Sequence, residues 1–177
     1  MTSRLAPKRE VLIVSAAILA YTLLAVELAR VRPPDHDEGD FGNAAVLFEN
    51  QHILGMPMYG HSWLPEIGNH LYITPPLYFV GLSVWFRIWG VGLITMRLFS
   101  VFWGAIALLA WYLAVRAMTK DPVMALLSLI LIGLNYDYLN LTSARYDVMC
   151  ASLSAAGLAA YGLLRERHFD LALLLLS

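Results

Sequence analysis

The stretch Val11-Leu-Ile-Val-Ser-Ala-Ala-Ile-Leu-Ala-Tyr-Thr-Leu-Leu-Ala-Val26 carries no charge; Arg4, Lys8 and Arg9 precede it and Glu27-Leu-Ala-Arg30 follows. With Val31 included it reaches the roughly 20 mostly apolar residues that a helix needs to cross a bilayer. It is longer than the apolar core of a secretory signal and ends without a small-residue cleavage site, which predicts an uncleaved signal-anchor. The basic residues in front of it predict a cytoplasmic N-terminus. Glu27 either snorkels or pairs with Arg30.

The rest of the chain agrees. Hydrophobic residues make up 59%, charged ones 14%, and the mean hydropathy is +0.64. Soluble domains carry about 25% charged residues, so the composition predicts an all-α integral membrane protein. A net charge of −1 speaks against nucleic acid as the main partner, since phosphate binding needs a basic field. Cys150 is the single cysteine, which excludes a disulfide framework and a cysteine-based zinc site and reads as a small buried hydrophobe.

Further apolar stretches predict crossings at 98–115, 122–144 and 148–164, with a partial one from Leu171. The stretch Pro75–Gly90 is short, contains Arg87 and is rich in Tyr78, Trp85, Phe86 and Trp89, so it predicts a helix lying at the membrane–water interface. On that topology Arg4, Lys8, Arg9, Arg116, Lys120, Arg165 and Arg167 lie inside, and Arg30, Arg32, Arg87, Arg97 and Arg145 outside. Residues 1–177 read as one transmembrane module, the N-terminal portion of a longer membrane protein.

Residues 32–97 form the long extracytoplasmic loop, which holds His36, His52, His61 and His70. It opens with Pro33-Pro-Asp35-His-Asp37-Glu38-Gly-Asp40. One carboxylate is enough to cap a helix, and Phe41, Ala44, Ala45 and Phe48 have the spacing of an amphipathic helix ending near Gly55. Four crowded carboxylates repel one another and suit a cation or a proton acceptor. A second constellation, Ser143-Ala-Arg145-Tyr-Asp147, is expected in the same compartment. An Asp at the start of a membrane helix is a functional candidate, with a local ion pair to Arg145 or a helix cap as the plainer reading. Asp137 is a weaker candidate of the same kind.

The order of these pieces resembles the GT-C glycosyltransferases that use lipid-phosphate sugars, in particular the protein O-mannosyltransferase and aminoarabinose-transferase superfamily. The resemblance runs over roughly 11–164. It rests on the anchor helix, Asp37-Glu38 with Ala44-Ala45, Gly55-Met-Pro57-Met-Tyr59, Pro75-Pro-Leu-Tyr78, Trp89-Gly-Val91, Arg97-Leu-Phe-Ser100 and Arg145-Tyr-Asp147. It implies a GT-C-type multi-helix module, with interfacial helices in the first extracytoplasmic loop of an inner-membrane protein. It further implies an inverting transfer of sugar from a polyprenyl-phosphate donor to a protein, lipid or glycan acceptor. Asp37 is then the expected general base, Glu38 orients it or the acceptor, and Asp147 completes the site.

Where many relatives carry a lysine before the Pro-Pro element, this chain has Thr74. The charge facing the donor phosphate is therefore expected from Arg97, Arg145 or residues beyond Ser177, with Tyr59 and Tyr78 in the donor or acceptor pocket. No cofactor is certain. Asp37, Asp147 and His61 are the expected ligands if zinc, manganese or magnesium is used, although the histidines lack a diagnostic spacing. Two readings from other classes stay open: a transporter fragment and a non-catalytic assembly subunit.

Overall fold

Pro7 sits at the first helical position, where its missing N–H costs nothing, and starts α1, Pro7–Val31. The computed structural model describes residues 6–56, 65–68, 70, 74–140 and 143–165. Six helices follow among them: α2 His36–Gln51, α3 Pro76–Trp89, α4 Leu93–Thr119, α5 Pro122–Gly133, α6 Tyr136–Asn140 and α7 Asp147–Leu164, with a short 3₁₀ turn at Pro65–Gly68. The described residues contain no strand, as the all-α expectation requires.

Three of these helices, α1, α4 and α7, are long and apolar enough to cross a membrane. At 1.5 Å per residue they run about 37, 40 and 27 Å, against a hydrocarbon core of about 30 Å. Leu12, Leu19 and Leu23 of α1 are more than half exposed, a surface that suits lipid and would be a liability in water. By length and composition these helices suit a membrane protein.

α1 and α4 are antiparallel. At one end Arg116 donates from Nε to Glu10 Oε1 at 2.8 Å, and Tyr112 donates to the same carboxylate. At the other end Arg97 NH1 donates to the carbonyl of Ala29 at 2.7 Å. α4 begins earlier than the expected 98–115, because Arg97, a charge that argues against a buried helical turn, is neutralised by partners described below, and it runs on to Thr119. Lys120 closes α4 in the left-handed region at φ 57°, a common helix stop.

The expected crossing at 122–144 is not one continuous helix. α5 has 12 residues and is about 18 Å long, too short to span alone. Asn135 breaks the helix: its Oδ1 accepts from the amides of Asp137 (2.9 Å) and Tyr138 (3.2 Å) and so starts α6. Beyond the break, the Tyr138 hydroxyl donates to Gly104 O at 2.6 Å and Arg32 NH1 donates to Asn140 O at 2.9 Å. α5 and α6 together therefore carry the chain back to the Arg32 end of α1.

α7 matches the expected 148–164 closely and runs parallel to α4. The Ser152 hydroxyl donates to Trp103 O at 2.7 Å, and ten residues later Gly162 lies against Ala117. A Cβ on Gly162 would come within 2.9 Å of the Ala117 Cβ. Small residues at a helix contact let two membrane helices approach closely. The stretch beginning at Leu171 lies outside the described residues.

At the Arg32 end, α2 and α3 form a cap. α2 buries Phe41, Ala44 and Ala45 against Tyr78, Phe79, Leu82 and Phe86 of α3, with Met96 and Phe99 of α4 beneath. α2 stops at Gln51, short of the expected Gly55, because His52 turns left-handed at φ 58°. The outer face of α3 leaves Leu77, Val84, Ile88 and Trp89 exposed, so the helix is apolar on both faces, a surface suited to lipid.

Candidate active site

The four carboxylates at the start of α2 have separate duties. Asp35 is the N-cap: its Oδ1 accepts from the Asp37 amide at 3.5 Å, while Glu38 Oε2 accepts from the Asp35 amide at 3.0 Å, completing a capping box. Asp40 is nearly buried, whereas the Asp37 side chain remains 37% exposed.

Glu38 is 1% exposed and forms a two-pronged ion pair with Arg97, Nε to Oε1 at 2.8 Å and NH2 to Oε2 at 2.7 Å. The remaining donors of Arg97 go to Ala29 O (2.7 Å), Arg32 O (2.8 Å) and Pro33 O (3.0 Å). A guanidinium has five N–H donors, and all five are used. Burial by itself would raise the Glu38 carboxyl. Hydrogen bonds from Arg97 and from the amides of Asp35 and Ala144, together with the Arg97 charge, outweigh it and hold the group below the usual carboxylate range.

The expected assignment of Arg97 changes as a result, and that of Glu38 narrows. Arg97 has no donor left for a phosphate and is 1% exposed, so its observed partners are all within the protein. Glu38 does not reach out toward an acceptor; it faces inward. Tyr78 is also corrected from substrate contact to core, being 1% exposed with its ring among Phe41, Phe79 and Phe99. Its hydroxyl and that of Ser100 are buried without a well-formed hydrogen bond, and burial lifts the phenol well above its ordinary range.

Arg145 links the two remaining expected residues. Its Nε donates to Asp147 Oδ2 at 2.8 Å, and its NH1 lies 3.7 Å from Asp37 Oδ2. The hydrogen bond it donates to Asp147 raises the Arg145 guanidinium further above its ordinary value, so it stays charged. Side-chain exposures are 37% for Asp37, 40% for Arg145 and 40% for Asp147. The local ion pair of Arg145 with Asp147 is thus present, and Asp37, from the far side of the sequence, joins it. Glu27 pairs with Arg30 at 2.8 Å. Tyr59 and His61 lie outside the described residues.

Arg145 reaches both expected metal ligands, Asp37 and Asp147, and the third, His61, lies outside the described residues. The described acidic and histidine side chains that converge are instead Asp35, His36 and Asp37. There the two ring nitrogens of His36 face carboxylates at 3.0 and 3.1 Å, leaving no nitrogen directed at a shared cation.

The sequence reading did not identify the backbone amide of Ala144, which donates to Glu38 Oε1 at 3.2 Å. No side-chain pattern signals a main-chain donor. It also left unread the pairing of Arg32 with Asn140. No protein-family model, curated protein or solved structure matches the chain.

Proposed function

We propose that the protein is a multi-pass glycosyltransferase of the inner membrane, with a cytoplasmic N-terminus. It would move a sugar from a polyprenyl-phosphate donor to an acceptor on the extracytoplasmic side. The observation that carries this reading is the meeting of Asp37 and Asp147 through Arg145, all three partly exposed, at the end of the bundle opposite Glu10. The GT-C resemblance supplies the substrate class.

The chemistry follows from these groups. An acceptor hydroxyl or amine attacks the anomeric carbon, and Asp37 takes its proton. The bond from that carbon to the phosphate oxygen breaks, and polyprenyl phosphate leaves with the electron pair. Arg145 faces the anion that develops, a role suited to a fixed guanidinium. Asp147 holds Arg145 in place. Single displacement inverts the anomeric centre. An apolar groove of about 240 Å³ lined by Ala17, Tyr21, Leu24, Leu129 and Gly133 has the chemistry to accept a hydrocarbon tail.

A transport role draws its support from the helix break at Asn135 beside Asp137, since broken membrane helices often line ion paths. Arg32 binding to Asn140 sets α6 at the end of the bundle instead of its midplane, which favours the transferase. The discriminating experiment supplies membranes containing the complete protein with labelled polyprenyl-phosphate sugars. Transfer or donor hydrolysis above control membranes supports the proposal; ion flux in liposomes without any transfer would replace it with transport.

A further inference from the structure

We infer that Glu38 and Arg97 are positioning residues that hold the Asp37 side of the site in register with the Arg145–Asp147 side. Glu38 follows Asp37 in the chain, and Ala144, whose amide Glu38 accepts at 3.2 Å, precedes Arg145. One buried carboxylate therefore fixes both neighbours. Residues 143–146 are not helical, so the buried Ala144 amide has no helical carbonyl to use; an unpaired buried N–H is costly. Glu38 satisfies it.

The restraint continues behind Glu38. Arg97 grips its carboxylate with two donors and spends the other three on carbonyls at the end of α1. α1, α4, α2 and the segment before α7 are thus tied through a single pair. Lysine has the charge but only three donors and no planar fork, so it cannot replace Arg97 in this role. Aspartate at position 38 keeps the charge that neutralises Arg97, but is one methylene too short to hold Arg97 and Ala144 together. Conservative variants therefore separate reach from charge.

The experiment has three arms. In the unmodified protein, exchange of the Ala144 amide is followed with ¹⁵N-alanine labelling; protection comparable to the helical alanines of α7 is expected, and exchange at an open-loop rate overturns the inference. Spin labels on native Cys150, which is exposed and not buried as its apolar surroundings in the sequence suggest, and on Asn43→Cys in α2 report the separation of the two sides. Glu38→Asp and Arg97→Lys should each shift or broaden that distance while helix content is kept; an unchanged distribution in both variants overturns it.

The kinetic arm alone rests on the transferase reading. A displacement of about 1 Å at a reacting group can cost about 10²-fold, so kcat should fall on that order with donor KM within about threefold. A fall in both together with lost helix content would indicate a merely structural role and contradict the inference. If the unmodified protein transfers no sugar, the transferase reading fails while the exchange and distance arms still decide this one. If neither variant inserts, the Ala144 exchange measurement decides alone.

Discussion

Arg145 holds Asp147 at 2.8 Å and stands 3.7 Å from Asp37, so the closer contact is with the carboxylate that opens α7 and the looser one with the proposed base. A guanidinium placed this way can turn toward an incoming phosphate without losing Asp147. The pair Arg145–Asp147 is then the anchored part of the site, and Asp37 the part free to meet an acceptor.

Arg145 should be sensitive to geometry as well as charge. Arg145→Lys keeps a cation but cannot fork between two carboxylates and a phosphate. We expect transfer to fall on the order of 10²-fold for Arg145→Gln, the scale seen when one transition-state donor is removed, and by a smaller factor for Arg145→Lys. Steady-state rates at varied donor concentration measure both; equal rates for all three proteins would remove Arg145 from the reaction.

The buried pair predicts a strong effect on stability. Arg97→Met leaves Glu38 buried without its partner, and breaking a buried ion pair from one side costs roughly 3–5 kcal/mol. Thermal unfolding in detergent should show a clear drop in Tm. The double change Arg97→Met with Glu38→Leu should recover part of it, because no unpaired charge remains.

Acid should weaken the same contact, and the sign follows from the Glu38 carboxyl lying below its ordinary value of 4.5. A depressed carboxyl binds fewer protons folded than unfolded, so its stabilisation is complete above the ordinary range. It is lost as pH falls through the lowered value. The Tm difference between the unmodified protein and Glu38→Gln should be largest near neutrality and shrink in acid. A difference that grows on acidification would show that the sign is wrong.

Gly162 tests the α4–α7 contact. Gly162→Val places a branched side chain where a single Cβ already meets Ala117 at 2.9 Å. Overpacking of this kind costs about 1–3 kcal/mol. Urea or thermal unfolding should register it, and Ala117→Gly in the same chain should relieve part of the loss.

Much of this architecture is legible in the sequence because lipid imposes length and apolarity on each crossing. α1 and α7 follow directly from uninterrupted apolar runs, and α3 from its aromatics and Arg87. Asp35-x-x-Glu38 is itself a capping-box pattern, so the N-terminus of α2 was readable too. The break at Asn135 was hidden, since an Asn in an apolar run is equally consistent with a polar spot on a continuous helix. Its capping of α6 depends on backbone direction.

Arg97 illustrates a different failure. A charge beside a crossing looks like a surface or ligand residue, and only the convergence of Ala29, Arg32, Pro33 and Glu38 makes it a buried strut. Partners that are main-chain carbonyls leave no trace in side-chain patterns. For Asp37, Arg145 and Asp147 the chemistry was legible from residue type, and the resemblance put Asp37 and Asp147 in one site; the bridging position of Arg145 was not legible, because it depends on how α2 and α7 pack at one end of α4.

The most direct test of the account compares Asp37→Asn with Asp35→Asn in membranes given labelled polyprenyl-phosphate sugars. Asparagine still caps a helix, so Asp35→Asn should transfer sugar within a few-fold of the unmodified protein. Asp37→Asn, with its proton acceptor removed, should insert normally and lose transfer by about 10²-fold or more. Full transfer by Asp37→Asn would contradict the assignment of the base and, with it, the mechanism built on this site.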